Sequence, residues 1–321
     1  MSQRTEDAFD FSDDISKKQD DRITTMIDRA LDKSQMICVG EKRHDAKEAA
    51  KNGGAHGSHE LMQNTGMFSW NTVHKYKSDI HTFATYCKVN YNTNDLTGIK
   101  PNMITTFFEE MSNRGYSQNT FEAYCSAIEK FAVVFDKAYP DCSNRMETWH
   151  NAVMEAKEDL KGSFVELDKT TRAYNDPQAM ITSLQDDACK MVGMLQLNHG
   201  LRLSDACKLQ EIKDLGMVAH SKGGQAIKGI YEKLSPEEKT LLNSLNPKDF
   251  EGLKDRYQYQ LEKSANACGE EYNGTHGLRH NFARDTYNDY ISQGYSHKDA
   301  LLATAEEMGH HRPDVTETYL R

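Results

Sequence analysis

A chain of 321 residues is long enough for two domains with cores of their own. Its 39 Lys and Arg against 49 Asp and Glu leave a net charge of −10, which argues against a surface given over wholly to nucleic acid, since neutralising phosphates takes Lys and Arg. No apolar run approaches membrane-spanning length, the N-terminal stretch has no apolar signal core, and the seven cysteines form neither a CxxC pair nor an even framework, so the chain reads as a cytosolic protein with reduced thiols.

Part of the negative charge is local. Glu6-Asp7, Asp13-Asp14 and Asp20-Asp21 load the N-terminal stretch, so a basic face elsewhere is compatible with an acidic total. Residues 1–69 read as a polar N-terminal extension. Within it, 52–58 is glycine-rich and reads as a flexible link. Ile23, Met26, Ile27 and Leu31 sit at helical spacing and predict one short amphipathic helix. The expectation is a partly ordered tail; the competing reading is an extra DNA arm or a protein-contact segment.

From residue 70 the periodicity is helical. Val73, Tyr76, Ile80, Phe83, Ala84 and Cys87 share one face. Pro101 suits a first helical turn, Ile104, Phe107, Phe108 and Met111 follow on one face, and Gly115 suits the stop. A third helix is expected over 120–135, with Phe121, Tyr124, Ile128, Phe131 and Val134 inward. These stripes read as helical core. Polar residues 165–177, ending in Asn175-Asp176-Pro177, mark a domain boundary. A helix is expected over 176–197, a β-hairpin over 217–231 around Gly223-Gly224, and charged helix over 234–262.

The chemistry-bearing residues lie in the second half. Arg202 sits in Gly200-Leu201-Arg202-Leu203-Ser204-Asp205. His276, Arg279 and His280 sit three and four apart and share a helix face. His310 follows Gly309, and Tyr319 comes nine residues later. Guanidinium forks neutralise a non-bridging phosphate charge by paired hydrogen bonds, and a tyrosine hydroxyl can attack phosphorus and hold the product as an ester. Blander readings stand beside these: a solvated arginine at a helix start, a surface cluster of positive groups, a core tyrosine. His276 and His280 also have metal-ligand spacing, with Cys268 near in sequence, but no further ligand is evident. Lys222, in "AHSKGGQAIKG", suits a hairpin tip that can bend toward a ligand, and equally a solvated turn.

The segments "HGLRLSDACKL", "THGLRHNFA" and "MGHHRPDVTETYL", in that order, resemble the tyrosine recombinases of the phage integrase family. Met308 stands where the pattern has Leu, and Asp205 where Glu is commoner. "RGYSQNTFEAYCSAIEKFAVVF" is similar to the helical core-binding domain of the same family. The resemblance implies a mainly α, two-domain architecture: a helical, SAM-like DNA-binding domain over 70–165 and a mostly helical catalytic domain with a small β-sheet or hairpin over 170–321. It implies that Arg202, Lys222, His276, Arg279, His310 and Tyr319 are catalytic. Arg202 and Arg279 would clamp the phosphate, with Asp205 orienting Arg202. Lys222, or as second choice Lys228, would be the general acid. His276 and His310 would contact the phosphate or move protons, His280 would pack behind them, and Tyr319 would be the nucleophile. It further implies no cofactor and no metal. The partners would be double-stranded DNA carrying specific recombination sites, a homo-tetramer on two such sites, and accessory DNA-bending proteins. The setting would be the cytoplasm of a bacterium, at the nucleoid, with integration or excision of a mobile element as the task. Type IB topoisomerases use a similar residue set, so DNA relaxation is the alternative, and a catalytically silent DNA-binding accessory protein is a further one.

Overall fold

Helix after helix builds this chain, because its apolar residues recur every three to four positions almost throughout. The structure is a computed structural model and describes residues 17–93, 96–142, 144–166, 172–221, 226–309 and 313–320. Its contacts divide the chain into two compact units, Met1–Leu167 and Asp168–Arg321.

The first unit holds α1 (Lys17–Ser34), α2 (Arg43–Asn52), α3 (Gly57–Asn64), α4 (Trp70–Tyr91), α5 (Pro101–Asn113), α6 (Gln118–Ala138) and α7 (Arg145–Asp159). Ser69 and Ser117 cap α4 and α6, each accepting from the backbone N–H three residues on. Pro101 opens α5, and Gly115 just beyond its end has φ +72°, a left-handed conformation natural to glycine. The expected inward faces are buried except at Tyr76, which is partly buried against the core, and Phe83, Phe107, Phe108, Phe131 and Trp149 form the aromatic centre.

The N-terminal stretch corrects the expectation of a partly ordered tail. Ile23, Ile27, Ala30 and Leu31 of α1 are buried in the same core as α4 to α7. Residues 36–38 and 67 pair as a short parallel bridge, with Cys38 N–H donating to the Met67 carbonyl and Met67 N–H to that of Met36. Average polarity misled here, because a helix needs only one apolar stripe to dock and the other residues face water. The glycine-rich link is likewise a short turn between α2 and α3.

The second unit holds α8 (Pro177–Ser183), α9 (Asp187–His199), α10 (Leu203–Ala206), α11 (Leu209–Leu215), α12 (Ile230–Lys233), α13 (Pro236–Ser244), α14 (Leu253–Ala267), α15 (His276–Ser292), α16 (His297–Glu307) and α17 (Pro313–Leu320). The single helix expected over 176–197 is two. Leu184 is extended, and Asp186 restarts the helix by accepting from Cys189 N–H at 2.9 Å. Residues 234–262 are broken in the same way, by the 3-10 turn Pro247–Phe250. The hairpin expected over 217–231 is, among the described residues, one antiparallel bridge. Val218 and Ile227 exchange N–H···O bonds of 2.9 and 2.8 Å, and helix α12 follows at once. The described residues form no sheet, so the architecture is helical with isolated bridges.

Candidate active site

Gly200 ends α9 in the left-handed region, with φ +59°. A Cβ there would lie 2.4 Å from the Phe282 ring, so glycine is required twice over. The chain then turns through extended Arg202 into α10. Arg202 Nη1 stands 4.0 Å from Asp205 Oδ2. Asp205 is buried, and the same oxygen accepts from Ser221 Oγ at 2.7 Å, so the carboxylate ties the start of α10 to the segment leading to Lys222.

Helix α15 brings the second arginine. Its first turn is pressed against Tyr174: a Cβ on Gly277 would lie 2.3 Å from that ring and 2.7 Å from the Arg172 carbonyl oxygen. Asn281, fully buried, accepts from Tyr174 N–H at 2.9 Å and donates to the Tyr174 carbonyl at 2.8 Å. Tyr174 Oη donates to the Gly274 carbonyl at 2.9 Å and accepts from Asn273 N–H at 3.1 Å, which fixes the approach to the helix.

Arg279 is 1 % exposed, an uncommon degree of burial for a guanidinium. Nη1 donates to the Gly200 carbonyl and Nη2 to the Met308 carbonyl, the latter at 2.7 Å. Its guanidinium carbon is 5.8 Å from the centre of the Tyr319 ring. Burial and the neighbouring Arg202 charge lower its pKa, while Tyr319 and Asp205 act the other way.

His280, also buried, has its ring centre 4.6 Å from that of Tyr319 with the planes tilted by 36°, and its Nδ1 lies 3.2 Å from the Tyr319 carbonyl oxygen. A carbonyl only accepts, so Nδ1 carries the proton and Nε2 the lone pair. Burial, aided by Arg172, His276 and Arg279, pushes the His280 pKa down to about 4, so the ring is neutral at neutral pH. His276 is exposed, with its ring centre 6.4 Å from that of Tyr319.

Four of the six expected site residues, Arg202, His276, Arg279 and Tyr319, thus lie around one point. The other two, Lys222 and His310, lie outside the described residues. Gly309, which precedes His310, has φ +64° and sits beside the Met308 carbonyl that Arg279 grips. Lys228 is exposed and, with His199, Gly200, Phe282 and Met308, lines a cavity of about 450 Å³ that reaches Arg279. Among the described residues His276, His280 and Cys268 do not converge as metal ligands.

Sequence reasoning missed the supports. Tyr174 carries no motif, Asn281 lies within "THGLRHNFA" without being singled out there, and only their pairing in space gives them a role. Glu238 is another: buried, it accepts from Asn198 Nδ2 at 2.8 Å and lies 3.0 Å from His199 Nε2, at the end of the helix that presents Gly200. The one visible signal was the Ser235-x-x-Glu238 capping box.

No described helix is long and apolar enough to cross a membrane. No curated protein matches this chain. Residues 59–136, from α3 through most of α6, match the family model described as phage integrase, N-terminal SAM-like domain. That match lies within the first unit, while the cluster around Tyr319 lies in the second. Over residues 59–136 the chain is thus similar to the SAM-like N-terminal domain of the phage integrase family.

Proposed function

We propose that this protein is a site-specific DNA recombinase that cuts and rejoins strands through a 3′-phosphotyrosine, with Tyr319 as nucleophile. The observation that carries the reading is the seat of Arg279: a buried guanidinium, fixed by two main-chain oxygens, 5.8 Å from the Tyr319 ring. A donor held rigid before charge develops stabilises the transition state without reorganising during the step.

In the proposed reaction the Tyr319 oxygen, its proton passing to His276, attacks phosphorus and the bond to the 5′ oxygen breaks. Arg202 and Arg279 neutralise the charge on the non-bridging oxygens, joined by His276 and His310. Lys222 gives a proton to the departing 5′ oxygen. The ester conserves the energy of the broken bond, so a 5′ hydroxyl of a partner strand can attack it, restoring the phosphodiester and the tyrosine. The reading includes double-stranded DNA with specific sites as substrate, a homo-tetramer bridging two sites, and integration or excision of a mobile element. The SAM-like domain favours recombination over topoisomerase-like relaxation.

The test is a nicked suicide duplex, which traps the ester because the cut fragment diffuses away. Wild-type protein should give a covalent band on a denaturing gel. Tyr319→Phe should bind the duplex equally and give none. An adduct from the phenylalanine variant would overturn the assignment.

A further inference from the structure

Away from the tyrosine cluster, the first unit assembles a second group of chemistry-bearing side chains. His59 of α3, Glu129 of α6 and His150 of α7 place one ligand atom each within 4.8 Å of one another. All three are partly buried, with side-chain exposures of 30 %, 14 % and 25 %. His150 Nδ1 is 2.6 Å from Glu129 Oε1, and His59 Nδ1 is 4.0 Å from the same oxygen.

We propose that His59, Glu129 and His150 form a binding site for a divalent transition-metal ion, zinc in the first instance, that clasps α3 to α6 and α7. Two observations support it. His59 Nδ1 is buried and makes no hydrogen bond; it faces Glu129 from beyond hydrogen-bonding range, where a cation would give it a partner. The two imidazoles stack with centres 3.6 Å apart and planes 29° apart, an arrangement that two protonated rings would oppose.

The ligand spacing is close to what an ion needs, while the stacked rings must turn about their side-chain bonds to bring both in-plane lone pairs to one point. Zinc bonds to nitrogen and carboxylate oxygen at about 2.0–2.2 Å, which in a tetrahedron sets ligand atoms roughly 3.4 Å apart. The observed 2.6 and 4.0 Å lie on either side of that value. Three protein ligands leave the fourth position to water. Two nitrogens and one oxygen favour zinc and its neighbours over magnesium or calcium, which prefer all-oxygen sites. The surroundings suit the site too. Gln63 Nε2 lies 2.8 Å from His59 Nε2. Turning that amide over would let its oxygen accept the Nε2 proton and hold the ring with Nδ1 toward the metal. Lys157 Nζ stands 4.0 Å from the other Glu129 oxygen, which leaves Oε1 for the ion.

The test uses the full chain, stripped with chelator, dialysed, and titrated with zinc chloride or magnesium chloride. The expected result is one equivalent of bound zinc by elemental analysis, a zinc-dependent rise in Tm, and no response to magnesium. His59→Ala and His150→Ala should each weaken zinc binding by about tenfold or more, with helix content unchanged by circular dichroism. His44→Ala, an exposed histidine outside the cluster, should bind as wild type. Cobalt in place of zinc should give visible bands without thiolate charge-transfer absorption. This arm needs only the wild type, so it stands even where a variant fails to fold. No saturable zinc on the wild type, binding that survives loss of both histidines, or a cobalt–thiolate band would each overturn the proposal.

Discussion

Tyr174 and Asn281 pair as two residues of a β-ladder would: backbone N–H to side-chain oxygen at 2.9 Å, side-chain N–H back to backbone carbonyl at 2.8 Å. The pair spans 107 residues and joins the start of the second unit to the helix that carries Arg279. Asn281→Leu keeps the volume but orphans both Tyr174 groups. Each buried orphan costs about 1–3 kcal/mol. The expected outcome is a lower urea midpoint, with loss of the covalent DNA adduct exceeding loss of DNA binding. Unchanged stability would mean that solvent replaces the bonds.

The two arginines should separate in how they fail. Arg279 is buried and bridges two main-chain oxygens, so Arg279→Ala is expected to cost folding as well as cleavage. Arg279→Lys keeps the charge but not the fork. It should bind DNA and lose roughly 10²–10³ in cleavage rate, the range for one lost transition-state donor. Arg202 is partly exposed, so Arg202→Ala should leave stability nearly unchanged while cleavage falls. Equal losses of binding and cleavage would reduce either residue to a backbone contact.

Lys222 and Lys228 can be told apart by the leaving group. A 5′-bridging phosphorothiolate departs as a thiolate and needs no proton. Lys222→Ala should be slow on the ordinary duplex and recover on the sulfur substrate, while Lys228→Ala should cleave both as wild type does. Rescue of Lys228→Ala alone would move the role to the lysine lining the cavity beside Arg279. Rescue of neither would turn the search to His276 or His310.

Glu238 should make the second unit acid-sensitive. Burial alone would raise its pKa. Bonds from His199, Asn198 and Ser235 N–H outweigh that and bring it from 4.5 to about 2. A depressed carboxyl pKa stabilises the fold fully above the unfolded value, and the gain is lost as pH falls from about 4.5 through about 2. The wild type minus Glu238→Gln difference in unfolding free energy should therefore shrink over that window, by an amount on the order of 3 kcal/mol. A difference flat with pH would contradict the ionised assignment.

Helices with unbroken apolar stripes, α4, α5 and α6, were legible in the sequence, and short motifs singled out Arg202, Arg279 and Tyr319 for the proposed site. The docking of α1 was not legible, since four apolar residues among polar ones carry little average signal. The break at Leu184 was hidden because an apolar residue at helical spacing looks the same whether the helix continues or restarts. The Tyr174–Asn281 pair and the Glu238–His199 contact were beyond local reading altogether. Their partners lie 107 and 39 residues apart, and only tertiary packing brings them together.

Arg279 rests on oxygen atoms that every amino acid possesses. At position 308 the seat is therefore indifferent to the side chain, provided that it is apolar and of similar volume. Met308→Leu should leave that oxygen in place. Position 200 is the opposite, because its oxygen comes with a left-handed turn and a ring lying where a methyl would go. The two halves of one seat thus differ in heritable freedom. A lineage can respell residue 308 without disturbing the guanidinium, while at residue 200 only glycine preserves it.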